Sequence, residues 1–248
     1  MKLTNKTAIV TGGASGFGEA IVKKFLNEGA RVVITDINQT AAEALSKELG
    51  KNTVAVKCDV ADRVSVKTLK AQATEAFGLI DIIVNNAGVT HLPTPLDEVS
   101  EEEFDRVFQV NCKSVFLMAQ AFVPNMKARK SGNILNIAST AGVSPRPNLN
   151  WYNSSKGWMN TATRAMAVEL APFNIRVNAV NPVAGETPLL ASFLGKDTPE
   201  MRQKFLSTIP LGRFAVPDDI ANASSYLCSD EASMVTGVCM QVDGGRCI

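Results

Sequence analysis

Residues 6–18 constrain the fold of this chain more than any other segment. Lys6-Thr7-Ala8-Ile9-Val10-Thr11 is a short apolar, β-branched run of the kind that forms a buried strand. Gly12-Gly13-Ala14-Ser15-Gly16-Phe17-Gly18 follows at once, and Ala20, Ile21, Phe25 and Leu26 then fall on one side of a helix. A strand, a glycine-rich turn and a helix in that order build a dinucleotide-binding element. The glycines let the backbone approach a pyrophosphate, and the helix N-terminus offers unpaired N–H groups to its charge. The spacing is Gly-x-x-x-Gly-x-Gly rather than Gly-x-Gly-x-x-Gly, so the strand-to-helix context carries the reading and the bare pattern does not.

Apolar runs alternate with helical patterns along the rest of the chain. Strands are predicted near 6–11, 31–36, 53–57, 81–85, 132–137, 175–181 and 238–242, with helices between them. Such alternation implies a parallel sheet covered on both faces. No Pro-, Ser- or Gly-rich linker, internal repeat or low-complexity tract interrupts the 248 residues, so residues 1–248 are expected to form one doubly wound α/β domain of Rossmann type. The second predicted strand, Arg31–Asp36, ends in a carboxylate eighteen residues after Gly18. That is the distance at which an acid binds the ribose 2′-hydroxyl of NAD and repels the 2′-phosphate of NADP. Ala14, Ser15, Ile37 and Asn38 supply no base to receive a phosphate.

Tyr152 and Lys156 stand four residues apart in Trp151-Tyr152-Asn153-Ser154-Ser155-Lys156-Gly157, and on a helix an i, i+4 pair shares a face. A phenol with a reference pKa of ~10 is a poor acid-base group near neutrality. An ammonium at about 4 Å, with an effective dielectric of ~20, favours the phenolate by roughly 4 kcal/mol, or about three pKa units. The expectation is therefore a Tyr152 that titrates near 7, where general acid-base catalysis works best. Ser139 follows the strand Ile134-Leu135-Asn136-Ile137, at the sheet end where ligands bind in open α/β folds.

Thr11-Gly12-(x)3-Gly16-x-Gly18, Asp59-Val60, Asn85-Asn86-Ala87-Gly88, Asn111, Ser139, Tyr152-(x)3-Lys156 and Asn181-Pro182 occur in the order and at the spacings of the short-chain dehydrogenases/reductases, and the chain resembles that family over essentially its whole length. The resemblance implies a strand order of 3-2-1-4-5-6-7 and an NAD(H)-dependent oxidoreductase that moves hydride between nicotinamide and a secondary alcohol or ketone. It assigns catalysis to Ser139, Tyr152, Lys156 and Asn111. Ser139 would hold the substrate oxygen, and Tyr152 would exchange its proton. Lys156 would lower the tyrosine pKa and bind the nicotinamide ribose, while Asn111 would hold a relay water. The cofactor site it implies comprises Gly12, Ser15, Gly16, Phe17, Gly18, Asp36, Ile37, Asp59, Val60, Asn86, Ala87, Gly88, Tyr152, Lys156, Pro182, Val183 and Thr187. Asp59 would approach the adenine amino group, Asn86 would either bind cofactor or tie strand ends together, and Thr187 would reach the carboxamide. The family usually has glycine where this chain has Val183, which puts the local shape there in question.

Composition narrows the alternatives. A formal net charge of +1 with mixed acids and bases gives no basic face for nucleic acid or anionic lipid. No apolar run reaches membrane-spanning length, and a cytoplasmic location is expected. The five cysteines lack Cys-x-x-Cys spacing, so neither a disulfide framework nor a metal site is suggested. His91, the only histidine, follows the Asn85–Gly88 turn and is assigned a rim or structural role because Tyr152 fills the acid-base position. Residues 183–215, with Leu189, Leu190, Phe193, Leu194, Met201, Phe205 and Leu206, read as a lid over a substrate with a hydrophobic body; the other reading is a helical pair packed on a neighbouring subunit. A homotetramer is expected from the apolar character of the helix near 113–129, with Val115, Met118, Ala119, Phe122 and Met126, and of the catalytic helix, with Met159, Thr163, Met166 and Leu170; the resemblance implies that these two helices form one interface. A 3-oxoacyl-(acyl-carrier-protein) reductase is the competing activity, with Lys127, Arg129 and Lys130 as part of a docking patch, although Pro172-Phe173 stands where a further arginine is often found. A non-catalytic dinucleotide sensor is the competing class, and it has no need of Ser139, Tyr152, Lys156 and Asn111 together.

Overall fold

The computed structural model describes all residues, Met1–Ile248. The chain forms β1 (Thr7–Thr11), α1 (Gly16–Asn27), β2 (Arg31–Asp36), α2 (Gln39–Leu49), β3 (Thr53–Lys57), α3 (Arg63–Phe77), β4 (Ile82–Asn85), α4 (Glu101–Phe108), α5 (Ser114–Arg129), β5 (Gly132–Ile137), α6 (Asn150–Leu170), β6 (Ile175–Pro182), α7 (Leu190–Leu194), α8 (Pro199–Leu206), α9 (Pro217–Cys228) and β7 (Cys239–Val242). The seven strands make one parallel sheet in the order β3-β2-β1-β4-β5-β6-β7. The predicted strands 31–36, 53–57 and 132–137 match residue for residue, and the other four differ by one residue at an end.

The strand residues alternate between two apolar layers, as the period of a pleated strand requires. Ala8, Val10, Val32, Ile34, Val84, Leu135 and Val180 pack with Ile21 and Phe25 of α1 and with Ile220 and Leu227 of α9. Ile9, Val33, Ile83, Ile134 and Val177 face the other way, against Val66 and Leu69 of α3, Met118 and Phe122 of α5, and Leu170 of α6. Burial on both faces is what makes β1 and β4 continuous apolar runs rather than half-polar ones.

Because β2 and β3 lie on one side of β1 while β4 to β7 lie on the other, the strand order reverses between the parallel neighbours β1 and β4. Loops after adjacent strands diverge at such a switch point and leave a crevice. Thr11 and Asn86 hold its two lips together. The Thr11 hydroxyl donates to the Val84 carbonyl at 3.2 Å and accepts from the Asn86 and Ala87 amides at 3.0 Å each. The Asn86 side chain returns the contact by donating to the carbonyls of Thr11 and Gly12 at 2.8 and 3.0 Å. Of the two roles open to Asn86, this geometry is the strand-tying one.

Residues 183–215, expected as one irregular stretch, contain α7 and α8. Their ends are pinned together by a parallel bridge between Gly185 and Ala215. No helix is long and apolar enough to cross a membrane.

Candidate functional site

The C-terminal ends of six strands surround a cavity of about 470 Å³, within the usual range for a small-molecule site. Its floor begins at the glycine-rich turn. Gly16 has φ of 54°, a left-handed conformation that a side chain would strain. A Cβ on Gly18 would run into the Gly12 carbonyl oxygen, so glycine there lets α1 start against the turn. Asn38, Asp62, Ser100 and Thr198 each cap a helix with a side-chain hydrogen bond, but Ser15 at the start of α1 makes none. The first N–H groups of α1 are thus left to a ligand, and Ser15, Gly16 and Phe17 line the cavity. Such an uncapped end favours a pyrophosphate, so the residues present fit a dinucleotide.

Asp36 also lines the cavity. Its Oδ2 accepts from the Ala14 amide at 3.1 Å and its Oδ1 from the Asn38 amide at 3.0 Å, which ties the end of β2 to the glycine turn. Ile37, Asp59, Val60, Asn86, Ala87, Gly88, Pro182, Val183 and Thr187 complete the expected cofactor wall. Gly18 and Asn111 are the two expected site residues that do not line it. Val183 is buried, donates its amide to the Val242 carbonyl at 3.2 Å and is not among the residues with positive φ. A side chain is therefore accommodated without strain where glycine is usual. Lys156 is the only basic side chain on the cavity wall.

Ser139, Tyr152 and Lys156 converge at the far end, all of them buried. A polar chain through the interior places them: Asn85 Nδ2 donates to Asn136 Oδ1, Asn136 Nδ2 donates to Thr163 Oγ1, and Thr163 donates to the Met159 carbonyl, each at 2.8 Å. It links β4 and β5 to the middle of α6. The Lys156 ammonium donates to the Ile137 carbonyl at 2.9 Å and lies 5.9 Å from the centre of the Tyr152 ring.

The protonation balance differs from the expectation. Burial pushes the Tyr152 phenol up, and the Ser139 hydroxyl only partly counters this. Burial pushes Lys156 down to about 8. Burial is the largest cause for both groups and acts on them in opposite directions, so the lysine, not the tyrosine, titrates closer to neutrality.

Asn111 sits in a π-helical turn, Gln109–Lys113, between α4 and α5, a distortion often found at functional sites. Its Nδ2 donates to the Val89 carbonyl and to Ser155 Oγ, and its Oδ1 accepts from the Val89 amide, all at 2.9 Å. One lone pair of Oδ1 remains. The position a Gly88 Cβ would occupy lies 3.4 Å from that oxygen and 3.3 Å from Lys156 Nζ, so both groups flank the same glycine.

Phe193 of α7 was not singled out by its sequence, whose only signal was the apolar run around it. It lines the cavity and packs edge-on against Tyr152, with ring centres 5.9 Å apart. The series continues to Phe205 at 6.0 Å and Phe214 at 5.8 Å. His91 is buried, donates from Nδ1 to the Leu92 carbonyl at 2.7 Å, and does not line the cavity.

A family model described as enoyl-(acyl carrier protein) reductase matches residues 12–246. The chain is 47% identical to 4-formylbenzenesulfonate dehydrogenase of Comamonas testosteroni over 99% of both chains. It is 39% identical to the 3-oxoacyl-(acyl-carrier-protein) reductase of Thermotoga maritima over 100% of both. A 3-ketoacyl-(acyl-carrier-protein) reductase from Brucella melitensis, crystallised with NADH, superposes with a TM-score of 0.94 at 46% identity, covering 99% of this chain and 100% of that one. This chain belongs to the short-chain dehydrogenase/reductase family. It is an oxidoreductase acting on hydroxyl or carbonyl groups with a nicotinamide dinucleotide.

Proposed function

We propose that the protein is an NAD(H)-linked dehydrogenase or carbonyl reductase for an alcohol/ketone or related carbonyl pair with a hydrophobic body. The observation that carries this reading is a single cavity in which Ser139, Tyr152 and Lys156 share walls with the uncapped glycine turn and Asp36. A bound nicotinamide supplies or accepts the hydride. Ser139 orients the substrate oxygen through its hydroxyl, and Tyr152 exchanges the proton on that oxygen. Lys156 carries the neighbouring positive charge, and Asn111 fixes the Val89 loop and α6 behind it. Leu189, Leu190 and Phe193 give the lid end of the cavity an apolar wall, which suits a hydrocarbon body such as the aryl ring in the name of the Comamonas relative.

The carrier-protein reductase is the second reading, favoured by the names of two relatives. Its docking patch is weakened here, because Lys127 pairs with Glu169 at 3.3 Å and Arg129 with Asp81 at 3.2 Å. A panel of secondary alcohols, aldehydes, ketones and 3-oxoacyl thioesters, followed by NADH absorbance, separates the two. In the same assay, alcohol oxidation should rise with pH through about 8, where burial places Lys156, since the Tyr152–Lys156 pair must be able to accept a proton. Carbonyl reduction should fall over the same range. Profiles flat between pH 7 and 9 would separate this pair from proton transfer.

A D₂ homotetramer remains our reading of the assembly, with a different basis from that expected. Val115, Met118, Phe122, Met126, Met159, Thr163 and Leu170 turn inward. The outward apolar groups are Phe116 on α5 and Trp158 and Val168 on α6, 47%, 40% and 79% exposed. Light scattering should give about four times the 26.5 kDa chain mass; a monomer at micromolar concentration would contradict this. A cytoplasmic location suits a chain whose five thiols are all free.

A further inference from the structure

The Arg146 guanidinium is held by aromatic rings rather than by a carboxylate. Its central carbon lies 4.7 Å from the centre of Phe193 on α7 and 4.8 Å from that of Phe205 on α8. The two rings meet edge-on, with centres 6.0 Å apart and planes at 74°, so the cation fills the angle between them and lies over both faces. Arg246, in the C-terminal tail, lies over the Phe205 ring as well, at 5.3 Å. Arg146 enters no salt bridge, and its Nη1 is buried without a hydrogen-bond partner.

That placement is costly for a guanidinium. Burial and the nearby Arg246 charge both push the Arg146 guanidinium down. What holds the cation in place is the negative face of each ring, an attraction that strengthens when water is excluded. Arg202 offers a contrast within the same row of rings. It lies 5.7 Å from the centre of Phe214 but pairs with Asp197 and Glu186, so all of these contacts stay inside the 183–215 excursion. Arg146 comes from outside that excursion, and its ring contacts join the lid to another part of the molecule.

The part it joins is the approach to the reaction centre. Arg146 belongs to the segment between Ser139 and Tyr152, and its carbonyl accepts from Asn153 Nδ2 at 2.7 Å, in the first turn of α6. Phe193 lines the cavity and packs edge-on against Tyr152, with centres 5.9 Å apart. One residue thus fastens the start of α6 through its backbone and the ring that walls the reaction end through its side chain. Phe193 stands between the guanidinium and the cavity, so Arg146 acts through that ring and not on the substrate.

We propose that Arg146 is a positioning residue that clasps the α7 and α8 lid to the segment leading into α6 and thereby sets the Phe193 ring against Tyr152. This rests on the reading of the cavity as a site of carbonyl and alcohol chemistry, and adds the device that holds its substrate wall in place. Arg246 assists by bearing on Phe205.

Hydrogen exchange on the protein with NADH bound tests the clasp without turnover. Arg146→Met keeps a long side chain and removes its charge. Amides of residues 190–206 should then exchange at least about tenfold faster, while those of β4, β5 and α6 change less than about twofold. Arg146→Lys should recover part of the protection, because an ammonium also binds ring faces. In steady-state kinetics Arg146→Met should raise KM for the carbonyl substrate about tenfold and lower kcat less than about threefold, since Tyr152 itself remains. In a double-mutant cycle, its cost in kcat/KM should be at least about threefold smaller in a Phe193→Leu background than in the wild type, as both changes break one contact. Lid exchange unchanged from wild type overturns the proposal, as does acceleration spread evenly over lid and sheet, or losses that simply multiply in the cycle. Should Arg146→Met fail to fold, Arg146→Gln takes its place and the same outcomes decide. Absence of turnover for every alcohol and carbonyl counts against the proposed function, while the exchange result still decides the clasp.

Discussion

Tyr152→Phe is expected to lower kcat by at least ~10³, somewhat beyond the usual factor for proton transfer because orientation of the substrate oxygen is lost with it. The substitution isolates the hydroxyl. Tyr152 is buried and its ring packs edge-on against Phe193 at 5.9 Å, and phenylalanine preserves that contact. The glycine turn and Asp36, at the other end of the cavity, are untouched, so dinucleotide affinity measured by fluorescence titration should change little. A variant that keeps a tenth of wild-type turnover would remove Tyr152 from the mechanism.

Cofactor choice should respond almost as strongly at Asp36. A 2′-phosphate within about 4 Å of this carboxylate meets repulsion of several kcal/mol at an effective dielectric of ~20. No compensating base is in place, since Lys156 is the only basic residue on the wall and it lies at the reaction end. Lys57 is the strand partner of Asp36, yet it neither lines the cavity nor pairs with that carboxylate. Wild-type kcat/KM should therefore favour NAD over NADP by ~100-fold or more. Asp36→Ala with Ile37→Arg should shift the ratio toward NADP by at least ~10² through removal of the repulsion and a new bidentate partner. The structure adds a second readout. Because Asp36 also accepts from Ala14 and Asn38, the double variant should melt several degrees lower, consistent with losing hydrogen bonds to a charged group. Equal use of NADH and NADPH by the wild-type protein would show that the reading of this strand end is wrong.

The sheet and the cofactor wall were legible because they rest on local chemistry. Continuous apolar, β-branched runs, glycines at the start of α1 and a carboxylate at the end of β2 each carry their meaning within a few residues. What distant segments bring together was not legible. Nothing in the run 183–215 distinguishes Phe193 from Leu194, and only the path of the lid back to α6 places that ring on Tyr152. The outward faces of α5 and α6 were misjudged for a related reason. Both helices are apolar around much of their girth, so composition alone did not tell Met118, which is buried, from Phe116, which is exposed. The Tyr152–Lys156 pair was correctly placed on one face, but the sequence could not weigh charge against burial. Enclosure of both side chains decides that balance, and enclosure belongs to the tertiary structure.

The row of rings from Tyr152 through Phe193 and Phe205 to Phe214 divides labour within the molecule. Tyr152, the proposed proton-transfer group, is held from one side by the sheet and α6, whose polar chain through Asn136 and Thr163 makes no use of the lid. The wall facing it belongs to a separate excursion whose two ends meet at Gly185 and Ala215. Residues on that excursion other than Thr187 and Phe193 can be exchanged without altering the polar chain that positions α6 or the wall formed by the glycine turn and Asp36. Selection can thus retune which molecules enter while leaving how they react unchanged, and a protein so divided is equipped to acquire new substrates by altering a single loop.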